Sequence, residues 1–246
     1  METARRAAGD ISRIFRYAIN TNRASSDPSQ YVRETLPSPK EQHFAAITDP
    51  EHFGRLLRAI DGYRGGLIVR CALKLAPLIA VRPGELRKME WKNVNLRDAE
   101  WRFSVTKNGT AQIVPMCRQA VAILTELQPL TGTGRYVFPN PRALDGSRPM
   151  SENAVLVALH NLGFAKGEVT GHGFRATFRT IGAEILKFRP ELLEQQLTHT
   201  VRDPLGRAYN RTSFLDQRKQ MMQTWADYLD ELKTGKTSSD NPKETK

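Results

Sequence analysis

The sequence predicts a mainly α-helical protein with a small antiparallel β-sheet, an α+β fold, on three observations. Apolar residues recur at helical spacing in successive segments, as in Ile11, Ile14, Phe15, Ala18 and Ile19 and again in Phe53, Leu56, Leu57 and Ile60. One stretch alternates as a hairpin instead: Trp101 to Val105, the tight-turn pair Asn108-Gly109, and a return strand Ala111 to Pro115. At 246 residues the chain can bury a real core, and its length allows one large domain with an appendage.

Taken in order, the first apolar stripe ends in Asn20 to Pro28, rich in Asn, Ser and Asp, which closes an amphipathic helix. Residues 27 to 40 carry Pro28, Pro37 and Pro39 among polar residues and read as a linker. Thr48-Asp49-Pro50-Glu51 is a helix start, with an N-cap oxygen, proline in the first turn and an early acid. A second apolar helix is expected from about Gly66 to Leu78, and Val81-Arg82-Pro83-Gly84-Glu85 opens another. Arg82 at a helix N-terminus makes an anion seat together with the unpaired backbone N–H groups, although the same residue suits an ordinary surface arginine. Lys107 rides on the hairpin tip, where a lysine by itself is ordinary surface charge.

Cys117 to Gln128 is the next expected helix, with Val121, Leu124 and Leu127 inward, followed by a Gly- and Pro-rich loop from Thr131 to Pro149. Ser151 is expected to cap a helix that carries Leu156, Leu159 and Leu162 and stops at Gly163. Further helices follow at 171–187 and from Pro190 to His199, and a last amphipathic one runs from Phe214 to Leu232 with Met221, Met222, Trp225 and Leu229 on its apolar side. Residues 233–246 lack apolar content and read as a disordered tail.

Lys and Arg number 37 against 26 Asp and Glu, a formal charge of +11, which favours a polyanionic partner. Cys71 and Cys117 are the only cysteines, too few for a disulfide framework or a four-cysteine zinc site, so they read as core thiols in a reducing cytosol. The longest apolar run, Leu75 to Val81, is far below the roughly 20 residues of a membrane span, and no membrane partner is expected. Gly235-Lys236-Thr237 imitates the end of a phosphate-binding loop, but Asp230 stands where that motif needs glycine. No pair of histidines has zinc-helix spacing, and no cofactor or metal is required. His43, His52 and His160 read as packing or surface residues.

The reactive side chains collect between Gly171 and Arg211. His172 and Arg175 stand three residues apart, so on a helix an imidazole and a guanidinium converge on one anionic group such as a phosphate. His199 and then Tyr209 follow, and a tyrosine hydroxyl can attack phosphorus.

His172-x-x-Arg175, His199 and Tyr209 resemble the second half of the catalytic motif of the tyrosine recombinase (phage integrase) family. The first half is matched by Arg82 within Val81-Arg82-Pro83-Gly84-Glu85-Leu86, by Trp91, and by Lys107 within Thr106-Lys107-Asn108-Gly109. Similarity runs from about residue 10 to Leu232, and Thr170 to Arg175 and Trp225 to Leu229 are worded as in P4-type prophage and genomic-island integrases. The resemblance implies the tyrosine recombinase catalytic-domain fold over residues 41–232, with residues 1–40 as the end of a core-binding domain plus linker. On that reading the upstream domains are missing, and the chain is truncated or a short gene product.

It also implies roles. Arg82 and Arg175 clamp the nonbridging oxygens, His172 and His199 add hydrogen bonds, Lys107 protonates the leaving 5′ oxygen, and Tyr209 is the nucleophile that forms a 3′-phosphotyrosyl link. Glu85 either orients an active-site cation or histidine or only favours the first turn of its helix. The implied partners are double-stranded DNA at attachment sites and further copies of the chain, a tetramer in the recombining complex, in the bacterial cytoplasm. A type IB topoisomerase uses a similar set, and a DNA-binding remnant without activity is the remaining alternative.

Overall fold

The computed structural model describes residues 2–37, 44–104, 111–143, 146–165, 167–197 and 214–235. By its contacts the chain forms two compact units, residues 1–43 and 44–246. The expectations for Lys107, His199, Tyr209, His43 and residues 236–246 fall outside the described residues.

In the first unit, helix α1 (Glu2–Asn20) carries the expected stripe and packs against the four-residue α2 (Val32–Thr35), but Ile11 and Ile14 are exposed. Residues read as linker fold back on α1 as far as Pro37. Asp27 accepts hydrogen bonds from Ser12 Oγ at 2.8 Å and Ser29 N at 2.9 Å, and Arg5 donates to the Leu36 and Pro37 carbonyls. The Ser29 hydroxyl also donates to Asp27, at 2.6 Å, and this bond first, then that from Ser12, keeps the carboxyl pKa below the usual value.

The second unit is built around α4 (Leu67–Ile79), whose residues from Cys71 onward are buried except Lys74, so that helices pack on several of its sides. The neighbouring α3 (Pro50–Asp61) starts as expected, with the Asp49 carboxylate accepting from His52 N at 2.8 Å, and buries Phe53, Leu56, Leu57 and Ile60. Opposite it lies α10 (Leu215–Thr234), and the crossing is tight. A Cβ at Gly54 would stand 2.6 Å from the Leu232 carbonyl oxygen. Trp225, fully buried, donates its indole N–H to the Pro77 carbonyl at 2.8 Å. Thus α10 packs on its own chain.

The short α5 (Pro83–Arg87) leads to an antiparallel sheet of three strands, β1 (Val94–Asn95), β2 (Glu100–Ser104) and β3 (Ala111–Pro115), in that spatial order. The expected hairpin pairs Trp101 with Val114 and Ser104 with Ala111, and residues 105–110 between them are not described. The two-residue β1 had no sequence signal, being too short for an alternating pattern. Helix α6 (Arg118–Thr131) begins after Cys117 and extends past Gln128, since Pro129 lies inside it and Gly132 ends it.

Ser151 does not cap α7 (Ala154–Asn161); its hydroxyl accepts from Asn153 N in a turn, and the helix starts two residues later than expected. Helix α8 (Gly173–Glu184) is shorter than 171–187. Its first residue donates to the Thr170 hydroxyl, and beyond its end Lys187 takes φ 54° so that Phe188 folds back to donate to the Gly182 carbonyl. Helix α9 (Pro190–Gln196) opens at Pro190 as expected. Among the described residues no helix is long and apolar enough to cross a membrane.

Candidate active site

The site begins where α4 ends. Ala80, at φ 50°, turns the chain out of the helix, and Arg82 follows in extended conformation as the N-cap of α5. Glu85, at the third position of that helix, uses both carboxylate oxygens on Arg82. Oε2 accepts the Arg82 backbone N–H at 3.0 Å, and Oε1 accepts from the Arg82 guanidinium at 2.9 Å. Glu85 thus caps the start of its helix and pairs with Arg82 at once. Its side chain is only 7% exposed against 33% for Arg82, so the carboxylate is the sheltered partner and the guanidinium the accessible one.

Arg175 sits on the first turn of α8, 5% exposed, and grips two backbone carbonyls: Ala80 at 2.9 Å and Leu197 at 2.6 Å. Burial first, and then the nearby Arg82 charge, pull its pKa down to about 10, which still leaves it charged at neutral pH. One bond ties it to the turn that presents Arg82, and the other to the end of α9, two residues before His199. Two cations are thus fixed close together with a carboxylate beside one of them, an arrangement that gains from an incoming anion.

His172 is the N-cap of α8, three residues before Arg175 as the spacing predicted. Its ring packs against Phe44, with centroids 4.3 Å apart and planes inclined by 34°. A cavity of about 570 Å³ is lined by Arg82, Glu85, Lys88, Asn153 and His172 among others. A second groove, about 780 Å³, runs along the sheet past Lys88, Lys92, Arg102, Arg135 and Tyr136. Glu90 there accepts from Lys92 and Arg135, and these bonds, that to Lys92 above all, hold its carboxyl below the usual value. Among the described residues no cluster of His, Cys, Asp and Glu has the makings of a metal site.

Of the six expected catalytic residues, Arg82, His172 and Arg175 are described, and the fold brings them together. Lys107, His199 and Tyr209 lie outside the described residues, but each is flanked by a described anchor. Paired Ser104 and Ala111 bracket the Lys107 segment, Leu197 precedes His199, and α10 follows Tyr209. A further residue escaped the sequence reading. Arg218, 1% exposed, donates to Gln196 Oε1 at 2.6 Å and to the Ile113 carbonyl at 2.7 Å, while Gln196 Nε2 donates to the Ile79 carbonyl at 3.1 Å. Burial lowers its pKa to about 10. The network joins α10, α9, β3 and α4, and the signal for it was the position of Arg218 on the same stripe as Met222, Trp225 and Leu229.

The sequence model described as the phage integrase family matches residues 47–215. The chain belongs to the phage integrase family. It is 34% identical over 245 residues to the integrase of Enterobacteria phage P4, an alignment that covers 93% of this chain and 55% of that protein. It is 33% identical over 234 residues to the integrase of Shigella phage Sf6, covering 94% of this chain and 60% of the relative. The chain therefore spans between half and two thirds of the length of these relatives. The same fold appears in a lambda integrase dimer bound to a COC′ core site, with a TM-score of 0.58 at 18% identity over 83% of this chain and 60% of that one. This phage integrase chain thus has the mainly helical fold with a small antiparallel sheet that its sequence predicts.

Proposed function

We propose that the chain is a site-specific DNA recombinase that cuts and rejoins strands through a 3′-phosphotyrosyl intermediate, to integrate or excise a mobile element. One observation carries this reading: Glu85 holds Arg82 at a cavity shared with His172, while Arg175 is bonded to the turn that presents Arg82. Membership of the phage integrase family supports it. Residues 41–232 are the catalytic domain in this proposal, and residues 1–40 the end of a core-binding domain with its linker. The partners are double-stranded DNA and further copies of the chain, assembling as a tetramer on paired sites, and the setting is the bacterial cytoplasm.

In the proposed reaction the Tyr209 oxygen attacks phosphorus, the bond from phosphorus to the 5′ oxygen breaks, and Lys107 gives a proton to the departing oxygen. Arg82 and Arg175 stabilise the charge that gathers on the nonbridging oxygens, and His172 and His199 add hydrogen bonds and assist removal of the phenolic proton. The phosphotyrosyl link keeps the energy of the phosphodiester, so a 5′ hydroxyl from another strand reverses the step and reseals the DNA without ATP. A suicide attachment-site duplex tests this: the chain should form a covalent adduct and exchange strands, and Tyr209→Phe should bind the duplex yet form none. Relaxation of supercoils without exchange would indicate a topoisomerase, and a mobility shift without adduct an inactive DNA-binding remnant.

A further inference from the structure

The segment Phe44 to Ile47 lies as a strap across the start of α8. The Ala45 carbonyl accepts from the Thr170 backbone N–H at 3.1 Å and from its hydroxyl at 3.4 Å, and the Ile47 carbonyl accepts from the buried Thr177 hydroxyl at 2.8 Å. The approach is so close that a Cβ on Gly173 would fall 2.2 Å from the Ala45 oxygen. Glycine is what lets the strap through. At its head Phe44, 61% exposed, lays its ring on the His172 imidazole. So large an exposed apolar ring adds little to the core, and it lines the same cavity as Arg82 and His172.

We propose that Phe44 is a positioning residue for His172: its ring fixes the plane of the imidazole at the wall of the cavity shared with Arg82. The torsion that turns an imidazole about its Cβ–Cγ bond is broad, so a ring packed against it helps to select the ring plane. Tilted stacking on a neighbouring ring supplies that choice with a preferred geometry that an aliphatic side chain lacks. The strap in turn is hydrogen-bonded to Thr170 before His172 and to Thr177 after it, which fixes where Phe44 stands beside the imidazole. This inference rests on the proposed recombinase chemistry for its consequence, but not for its geometry.

Two readouts separate the two. With histidines isotopically labelled, the His172 resonances are assigned among the five by their loss in His172→Gln. They should carry an aromatic ring-current shift in the wild type, lose it in Phe44→Leu, and keep it in Phe44→Tyr. Single-turnover cleavage of the suicide duplex should fall roughly 10- to 100-fold in Phe44→Leu, the scale expected for a displaced catalytic group, and be restored in Phe44→Tyr, with thermal unfolding unchanged in both. Unaltered His172 resonances in Phe44→Leu would overturn the stacking. Altered resonances with wild-type cleavage would overturn the positioning role. A wild-type chain that forms no adduct overturns the recombinase reading, and the resonances then decide the stacking on their own.

Discussion

Glu85 spends one oxygen on the backbone and the other on the side chain of the same arginine, so helix capping and cation alignment are a single structure. Glu85→Gln keeps one acceptor and loses the charge. Single-turnover cleavage should fall about 10-fold or more through loosened orientation of Arg82, while the melting temperature moves little, and a variant as fast as wild type would reduce Glu85 to a helix cap. For Lys107 the decisive substrate carries sulfur at the bridging 5′ position, because a thiolate leaves without a proton. Lys107→Ala should cleave ordinary DNA roughly 10² to 10⁴-fold more slowly and recover on the sulfur substrate, whereas Arg175→Ala should stay impaired on both. Equal defects on the two substrates would make Lys107 a phosphate contact instead. The His172 and Arg175 spacing was legible because it is local to one helix turn. What Arg175 holds was not, since the Ala80 and Leu197 carbonyls are brought to it by tertiary folding.

At the scale of elements, the long stripes were legible wherever one face meets the core, and they failed where little covers them, as at Ile14 in α1, 65% exposed. Helix ends were less legible because capping is decided by neighbours, such as the Thr170 hydroxyl at the start of α8 and the turn at Ser151 before α7. Trp225 is the strongest test of α10, being fully buried, in edge contact with Phe178 at 5.2 Å, and bonded through its indole to Pro77. Trp225→Ala should cost about 3–5 kcal/mol in urea unfolding, while Val157→Ala, at an exposed site on α7, should stay within about 0.5 kcal/mol. A small loss for Trp225→Ala would mean that α10 contributes little to the closed unit.

For the whole molecule, the excess of cations governs how the proposed DNA partner would be met. With a formal charge of +11 and a groove along the sheet lined by Lys92, Arg102 and Arg135, most contacts should go to phosphates. Binding measured by fluorescence anisotropy should weaken steeply, by orders of magnitude, between low and physiological salt, and affinity indifferent to salt would contradict a phosphate-dominated interface. The bonds that assemble the site reach far along the chain: 95 residues from Arg175 to Ala80, 117 from Gln196 to Ile79 and 148 from Trp225 to Pro77. Contacts of such separation form only after the intervening chain has been made and closed. A nascent polypeptide therefore emerges from the ribosome with Arg82 long before Arg175 or Gln196 exist to hold its turn in place. The Arg82–Arg175 pair is therefore completed only once the second half of the unit has been made, so synthesis leaves Arg82 without its buried partner until the fold closes.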